Sequence, residues 1–187
     1  MRARDEIDRL KAGNEKYVNS SHSMTNTSKY LRTKTAKEGQ KPLAIVIACS
    51  DSRVMPNSIF SVDLGELFVI RVAGNVLDNH QIGSIEYAVA HLHVNLIVML
   101  GHTGCGAVAA AIRGEKNGYV GYITEDICEA IGDETDDYKA AVLNVEHGVN
   151  IIKKAFSEHP EIDSAELVVK GAVYNIETGV VDWVDEL

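Results

Sequence analysis

Four short runs of apolar, β-rich residues divide the chain: 43–48 (LAIVIA), 67–72 (LFVIRV), 96–100 (LIVML) and 167–173 (LVVKGAV). The first and third are apolar without interruption, the pattern of strands covered on both faces. Between the runs, apolar residues recur at helical spacing over 83–93, 107–112 and 138–158. The last of these carries Val142, Val145, Val149, Ile152 and Phe156 along one stripe. Residues 120–131 read as a further helix whose boundaries are blurred by Gly118, Gly121 and Gly132. This alternation predicts an α/β fold, a parallel sheet flanked by helices. Thr178-Gly179 then turns the chain into 180–184, a short last strand.

Upstream, Ile7, Leu10, Ala12 and Tyr17 mark one apolar stripe on a helix over 1–18. Residues 19–28 are polar, 29–37 form a weaker helix, and Gly39 and Pro42 turn the chain towards the first strand. No repeat, low-complexity tract or interdomain linker interrupts the pattern. A single domain over 1–187 is expected, with a helical N-terminal arm (1–37) and an α/β core (38–187). The first helix is too amphipathic to stand free and is expected to pack on a partner subunit.

Composition narrows the function classes. The chain has 187 residues, 45% of them hydrophobic, enough for one ordinary core. A formal net charge of −9 argues against a nucleic-acid surface, which needs clustered Lys and Arg. No apolar run reaches the roughly 18 residues of a membrane span, and the first residues, MRARDE, lack the apolar centre of a signal peptide. The expected location is cytoplasmic. Three cysteines cannot all pair with one another, and disulfides are rare in that compartment, so metal-binding or catalytic roles gain weight.

Two apolar strands end in reactive residues. The first runs into Cys49-Ser50-Asp51-Ser52-Arg53, and the third into Gly101-His102-Thr103-Gly104-Cys105-Gly106. In open parallel sheets the loops past the carboxyl ends of the strands form the ligand crevice, so both segments are expected to face one site. His102 and Cys105, three apart where a loop enters a helix, can point at one ion. Cys49 from a neighbouring strand completes a Cys2His set, which suits zinc and leaves a fourth position open for catalysis. A water there would ionise near neutral pH, a property for which carbonic anhydrase is the standard example. Asp51 and Arg53 lie close enough to Cys49 to pair beside the metal. Paired, Asp51 could orient a metal-bound hydroxide; released, it could itself occupy the fourth position.

At these residues the chain resembles the β-carbonic anhydrases, whose C-x-D-x-R and H-x-x-C signatures appear as 49–53 and 102–105. The likeness extends through 65–68, 71–75, 84–89 and 171–179, and covers nearly everything from Gln40 onward. It implies reversible hydration of CO2 to bicarbonate by zinc-bound hydroxide, with one zinc per subunit and Cys49, His102 and Cys105 as ligands. Asp51 and Arg53 are the implied catalytic pair. Gln40, Phe68, Tyr87, Val72 and Gly106 fall on the substrate pocket, where the Gln40 amide would donate to the developing carboxylate. Because the family builds this pocket partly from a neighbouring subunit, a homodimer or homotetramer is implied, with Gln40 serving the partner's zinc. Val46 and Ala48 stand where allosteric relatives have tryptophan and glycine. The plant-type subclass, with Asp51 held on Arg53 and no second bicarbonate pocket, is therefore expected. Where many relatives have Arg-Asn, this chain has Arg71-Val72.

The architecture expected is a four-stranded parallel sheet in the order 2-1-3-4, a short C-terminal extra strand, and helices on both faces. His22, His91, His93, His147 and His159 are expected to pack or to face solvent, and Cys128 to act as a small apolar residue. His80 sits where a proton shuttle could stand, although an exposed loop histidine is commoner. Two other functions fit the same motifs: a hydrolase of carbonyl sulfide or carbon disulfide, and a non-catalytic zinc-stabilised assembly subunit. An intact Asp51–Arg53 pair counts against the latter, since a structural zinc needs no such dyad.

Overall fold

A computed structural model describes residues 3–22, 24–158 and 166–184. Five strands form one sheet: β1 Ala44–Ala48, β2 Leu67–Arg71, β3 Leu96–His102, β4 Val168–Tyr174 and β5 Val181–Trp183. Their order is β2-β1-β3-β4-β5. The first four run parallel, and β5 joins β4 antiparallel. The expected four-stranded order and short fifth strand are both present. Every residue of β1 and β3 is buried, as their unbroken apolar runs require.

Alternate residues of the central strands feed two cores. Val46, Leu96, Val98 and Leu100 face α1 (Ala3–Asn19) and α3 (Pro56–Ile59), where Leu10 and Ile59 are buried. Ile45, Ile47, Ile97 and Met99 face α4 (Asn79–Leu92) and α7 (Asp137–Glu158). A third, smaller cluster joins α5 (Gly106–Ile112) and α6 (Val120–Ile131) to Cys49 and Cys105. By contrast α2 (Lys29–Glu38) buries no residue.

Several elements differ from their sequence reading, each for a local reason. The helix α1 packs on its own chain rather than waiting for a partner. Leu10 is fully buried, and Gly13 lies so close to the Phe60 carbonyl that a Cβ there would collide with it. Asn14 is also buried: its Nδ2 donates to the carbonyls of Ile59 (3.1 Å) and Gly179 (2.8 Å), and its Oδ1 accepts from Val181 N (3.0 Å). Ala12, placed on the apolar stripe by its type, is exposed; the inward face runs through Leu10, Gly13 and Asn14.

The helix α4 starts four residues before Gly83, because Asp78 and Gln81 form a reciprocal capping box at its N-terminus. The strand β3 continues two residues past Leu100. Val145 fills the space beside Gly101, where an added Cβ would come within 2.6 Å of its Cγ2. His102 is therefore the last residue of a strand rather than a loop residue. The four-residue α3 and the 3-10 turn Ala73–Asn75 have no counterpart in the sequence pattern, both being too short to show a period.

Candidate metal centre

Cys49 leaves the carboxyl end of β1, His102 ends the adjacent β3, and Cys105 caps α5. The parallel register sets Ala48 opposite Leu100, so the two strand ends open on the same side. One nitrogen of His102 and the two cysteine sulfurs lie within 4.8 Å of one another, and all three residues are buried. The sulfurs are 4.0 Å apart. Among the described residues no other group of three His, Cys, Asp or Glu side chains converges in this way.

The histidine tautomer follows from its neighbour. His102 Nδ1 lies 3.0 Å from the Thr103 carbonyl oxygen, which can only accept, so Nδ1 carries the proton. Thr103 is itself fixed: its N–H donates to the Tyr174 carbonyl, and its Oγ1 accepts from Ile176 N. The other ring nitrogen, Nε2, is buried without a hydrogen-bond partner. An unpaired lone pair in a buried site is costly unless a cation or donor meets it. The cysteines show the same demand. The Cys105 thiol donates to Cys49 and, with the Asp51 and Gly74 N–H groups at 3.4 and 3.3 Å, brings the Cys49 thiol down to about 4. That shared proton, with burial, pushes Cys105 up. Burial pulls His102 down, but the Cys49 sulfur outweighs it and the net shift is upward. These groups compete for protons that a soft divalent cation would displace, so the donor set fits a metal ion.

Beside the sulfurs, Asp51 is gripped by Arg53. Nε donates to Oδ1 at 2.9 Å, Nη2 to Oδ2 at 2.7 Å, and the Arg53 backbone N–H also reaches Oδ1. The guanidinium holds the carboxyl well below the usual carboxylate range. Arg53 reaches on to the Gly104 carbonyl, tying the first signature loop to the second. Arg71, at the end of β2, donates to the carbonyls of Cys49 (3.0 Å) and Asp51 (2.6 Å). Asp137, the first residue of α7, accepts from Gly104 N at 2.8 Å. Neither of these two anchors was assigned a site role from sequence. Arg71 stands in the 71–75 segment of the resemblance without a role of its own, Asp137 stands in no motif, and the backbone partners of both lie in other segments.

The remaining candidates fall into two places. Val72 exchanges backbone hydrogen bonds with Ala48 and Ser50, and Gly106 follows Cys105, so both border the cysteine group. Gln40, Phe68 and Tyr87 do not. Gln40 precedes the amino end of β1, and the strand alone separates it from Cys49 by roughly 16 Å at about 3.3 Å per residue. Phe68 pairs with Ile45, roughly 13 Å back along the same strand. Tyr87 accompanies Phe68, their rings 6.4 Å apart, and meets the His91 ring at a tilt, 4.9 Å between centroids. Gln40 and Tyr87 are exposed, and Phe68 is half-buried. Within one chain, the Phe68–Tyr87 pair lies apart from Val72 and the cysteines.

Among the other histidines, His80 is almost fully exposed with Asp78 3.5 Å from its ring, and His22 is exposed. His93 takes a left-handed conformation capping α4, and His147 is half-buried in α7. His159 lies outside the described residues. Cys128 is half-buried, its sulfur 3.6 Å from the Ala111 carbonyl oxygen.

Comparison with known proteins agrees with this geometry. The family model for carbonic anhydrase matches residues 44–181. Carbonic anhydrase 2 of Mycobacterium tuberculosis is 45% identical over 124 residues, which cover 65% of this chain and 59% of that protein. The chain thus matches about three-fifths of that relative's length. A carbonic anhydrase of Pseudomonas aeruginosa is 36% identical over 78% of this chain and 74% of its own. Crystal structures of two tetrameric β-carbonic anhydrases from the ascomycete Sordaria macrospora superpose with a TM-score of 0.65 at 29% identity, covering 82% of this chain and 90% of that chain. With the fold, the converging Cys2His group and these matches together, the chain belongs to the carbonic anhydrase family, in its β class.

Proposed function

We propose that this chain catalyses the reversible hydration of CO2 to bicarbonate and a proton at a single zinc ion held by Cys49, His102 and Cys105. The observation that carries the reading is His102 Nε2, buried without a partner beside two cysteine sulfurs and a carboxylate locked onto an arginine. Two thiolates and an imidazole suit zinc above the harder divalent ions, and three protein ligands leave one position for chemistry. Zinc, when bound, supplies the Lewis acidity that makes water a nucleophile near neutral pH.

The protein's own groups do the rest. Arg53 keeps Asp51 ionised and turned to present its carboxylate beside the cysteines, where it accepts a hydrogen bond from the attacking water and aims its lone pair. Arg53 engages both carboxylate oxygens, which supports a plant-type arrangement in which Asp51 would stay off the metal. Val46 and Ala48 are fully buried within β1, which is consistent with the lack of a second bicarbonate pocket there. Val72 and Gly106 border the reacting volume, and a small apolar wall of this kind suits CO2.

Gln40, Phe68 and Tyr87 complete the pocket from a second copy of the chain. Their distance from their own cysteines, the exposure of Gln40 and Tyr87, and the tetrameric β-carbonic anhydrases of Sordaria macrospora support a homodimer or homotetramer. The edge strand β2 and the groove of about 610 Å³ beside it, lined by Met55, Leu64, Val69 and Arg71, offer apolar surface for such an assembly. A cytoplasmic location fits thiols that must stay reduced to bind metal. No helix among the described residues is long and apolar enough to cross a membrane.

Stopped-flow CO2 hydration by purified protein of measured zinc content tests the proposal. Catalysis that scales with bound zinc is the expected result; zinc-loaded protein with no hydration at neutral or alkaline pH would overturn it. Carbonyl sulfide and carbon disulfide serve as the comparison substrates in the same assay.

A further inference from the structure

We propose that Asn144 is a positioning residue for the Cys49 sulfur, acting through Gly74; the proposal rests on the reading of Cys49 as a metal ligand. Asn144 lies on α7 and is 5% exposed. Its Nδ2 donates to the Gly74 carbonyl at 2.9 Å, a buried contact across 70 residues of sequence. Gly74 in turn donates its N–H to Cys49 Sγ at 3.3 Å. The carbonyl and the N–H belong to two peptide planes hinged at the Gly74 Cα. That hinge sits at φ 66°, ψ 13°, left-handed values that glycine adopts without steric cost. Glycine is also required by space, because a Cβ would come within 2.7 Å of Ile127 Cδ1 and 3.0 Å of Ala107 Cβ.

A glycine hinge is soft, and the direction of its N–H depends on what holds the neighbouring plane. The Asn144 amide holds it. An N–H aimed at a sulfur stabilises the thiolate over the thiol and draws electron density from the orbital a metal would share. Asn144 touches neither metal nor substrate, so its action is confined to orienting this donor. A residue that merely filled space or satisfied a buried carbonyl would change stability without changing the electronic character of the sulfur, and the two roles can therefore be separated.

The test uses full-length protein reconstituted with Co2+, whose thiolate-to-metal charge-transfer absorption reports on the sulfur. Asn144→Leu keeps the volume but cannot donate. It is expected to shift the charge-transfer band to longer wavelength and to weaken Co2+ binding by roughly tenfold to a hundredfold, the range for loss of a group that supports a ligand. Ile152→Ala, a fully buried position two turns further along α7, is the packing control. It should lower the thermal midpoint and leave band and affinity unmoved. If Asn144→Leu does not fold, Asn144→Ala carries the test, with the donor removed. A band and affinity equal to wild type in the folded variant overturn the proposal alone. Wild-type protein that gives no thiolate–cobalt band overturns the metal reading, and the proposal with it.

Discussion

The two ends of the central strands differ in what they can do alone. At the carboxyl ends, one chain brings together Cys49, His102, Cys105, Asp51 and Arg53, and braces them with Arg71, Gly74, Thr103 and Asp137. Most polar groups there have a partner from the same chain; His102 Nε2, the ligand candidate's free nitrogen, does not. Towards the amino ends, Gln40, Phe68 and Tyr87 stand at or near the surface with no such framework. The first region is held by backbone and charge-assisted hydrogen bonds, which fix geometry within one fold. The second consists of side chains that, in the assembly proposed above, meet their counterpart in another copy of the chain. Bracing within one chain and exposure at the surface thus mark opposite ends of the same strands.

The largest effect comes from breaking the self-sufficient end. His102→Ala removes one of three candidate ligands and is expected to reduce CO2 hydration to background, with zinc affinity weakened by more than about a hundredfold. Zinc content by atomic emission, beside stopped-flow rates, checks both; full zinc occupancy in that variant would contradict the ligand assignment.

Next is the dependence of one end on the other in a second copy. Gln40→Ala is expected to lower kcat/KM by roughly a hundredfold or more, the cost of losing a donor to developing negative charge. Cys49→Ala should be inactive. Mixing the two variants under conditions that exchange subunits is expected to restore part of the activity, because the mixed dimer holds one site with an intact Cys49 and an intact Gln40 from the partner. Mixtures no more active than their components would show that Gln40 does not act across an interface.

Asp51→Asn probes the carboxylate while sparing the ligands. Turnover should drop about a hundredfold through lost orientation, with zinc content unchanged. An unaltered rate would leave the Asp51–Arg53 pair without a catalytic part.

The smallest effect is on stability. Because Arg53 depresses the Asp51 carboxyl, the folded chain favours the ionised form. The stabilisation is present above the ordinary carboxylate value near 3.9 and is lost as pH falls below it. The pair is partly exposed and screened by solvent, so its contribution is small. Urea midpoints of wild type and Asp51→Asn should differ slightly at pH 7, and the gap should begin to narrow as pH falls below about 3.9 and close only towards the strongly depressed folded-state value; a gap that widens on acidification would reverse the sign argued here.

Much of the self-sufficient end was legible from the chain itself. Cys49 and His102 each terminate an apolar run, and Cys105 follows at ligand spacing, so burial pattern and motif pointed to one place. Asn14 and Asn144 were not legible, because a lone asparagine in a helix reads as surface until its distant carbonyl partner is known. The same limit hid Arg71 and Asp137, whose partners are backbone atoms in other segments. It also led α1 to be read as waiting for a partner, when Leu10, Gly13 and Asn14 dock it on Phe60 and the turn before β5.

What the sequence determined by itself is the order of the elements, the strands buried on both faces, and the residue types that converge on a metal. Those follow from period and composition, which are local. Only the tertiary structure decided which face of α1 turns inward, which backbone groups donate to Cys49, and that Gln40, Phe68 and Tyr87 lie a strand's length from the cysteines of their own chain. Those depend on register and on contacts between segments 20 to 170 residues apart, where one hydrogen bond to a carbonyl leaves no trace in the spacing of side chains.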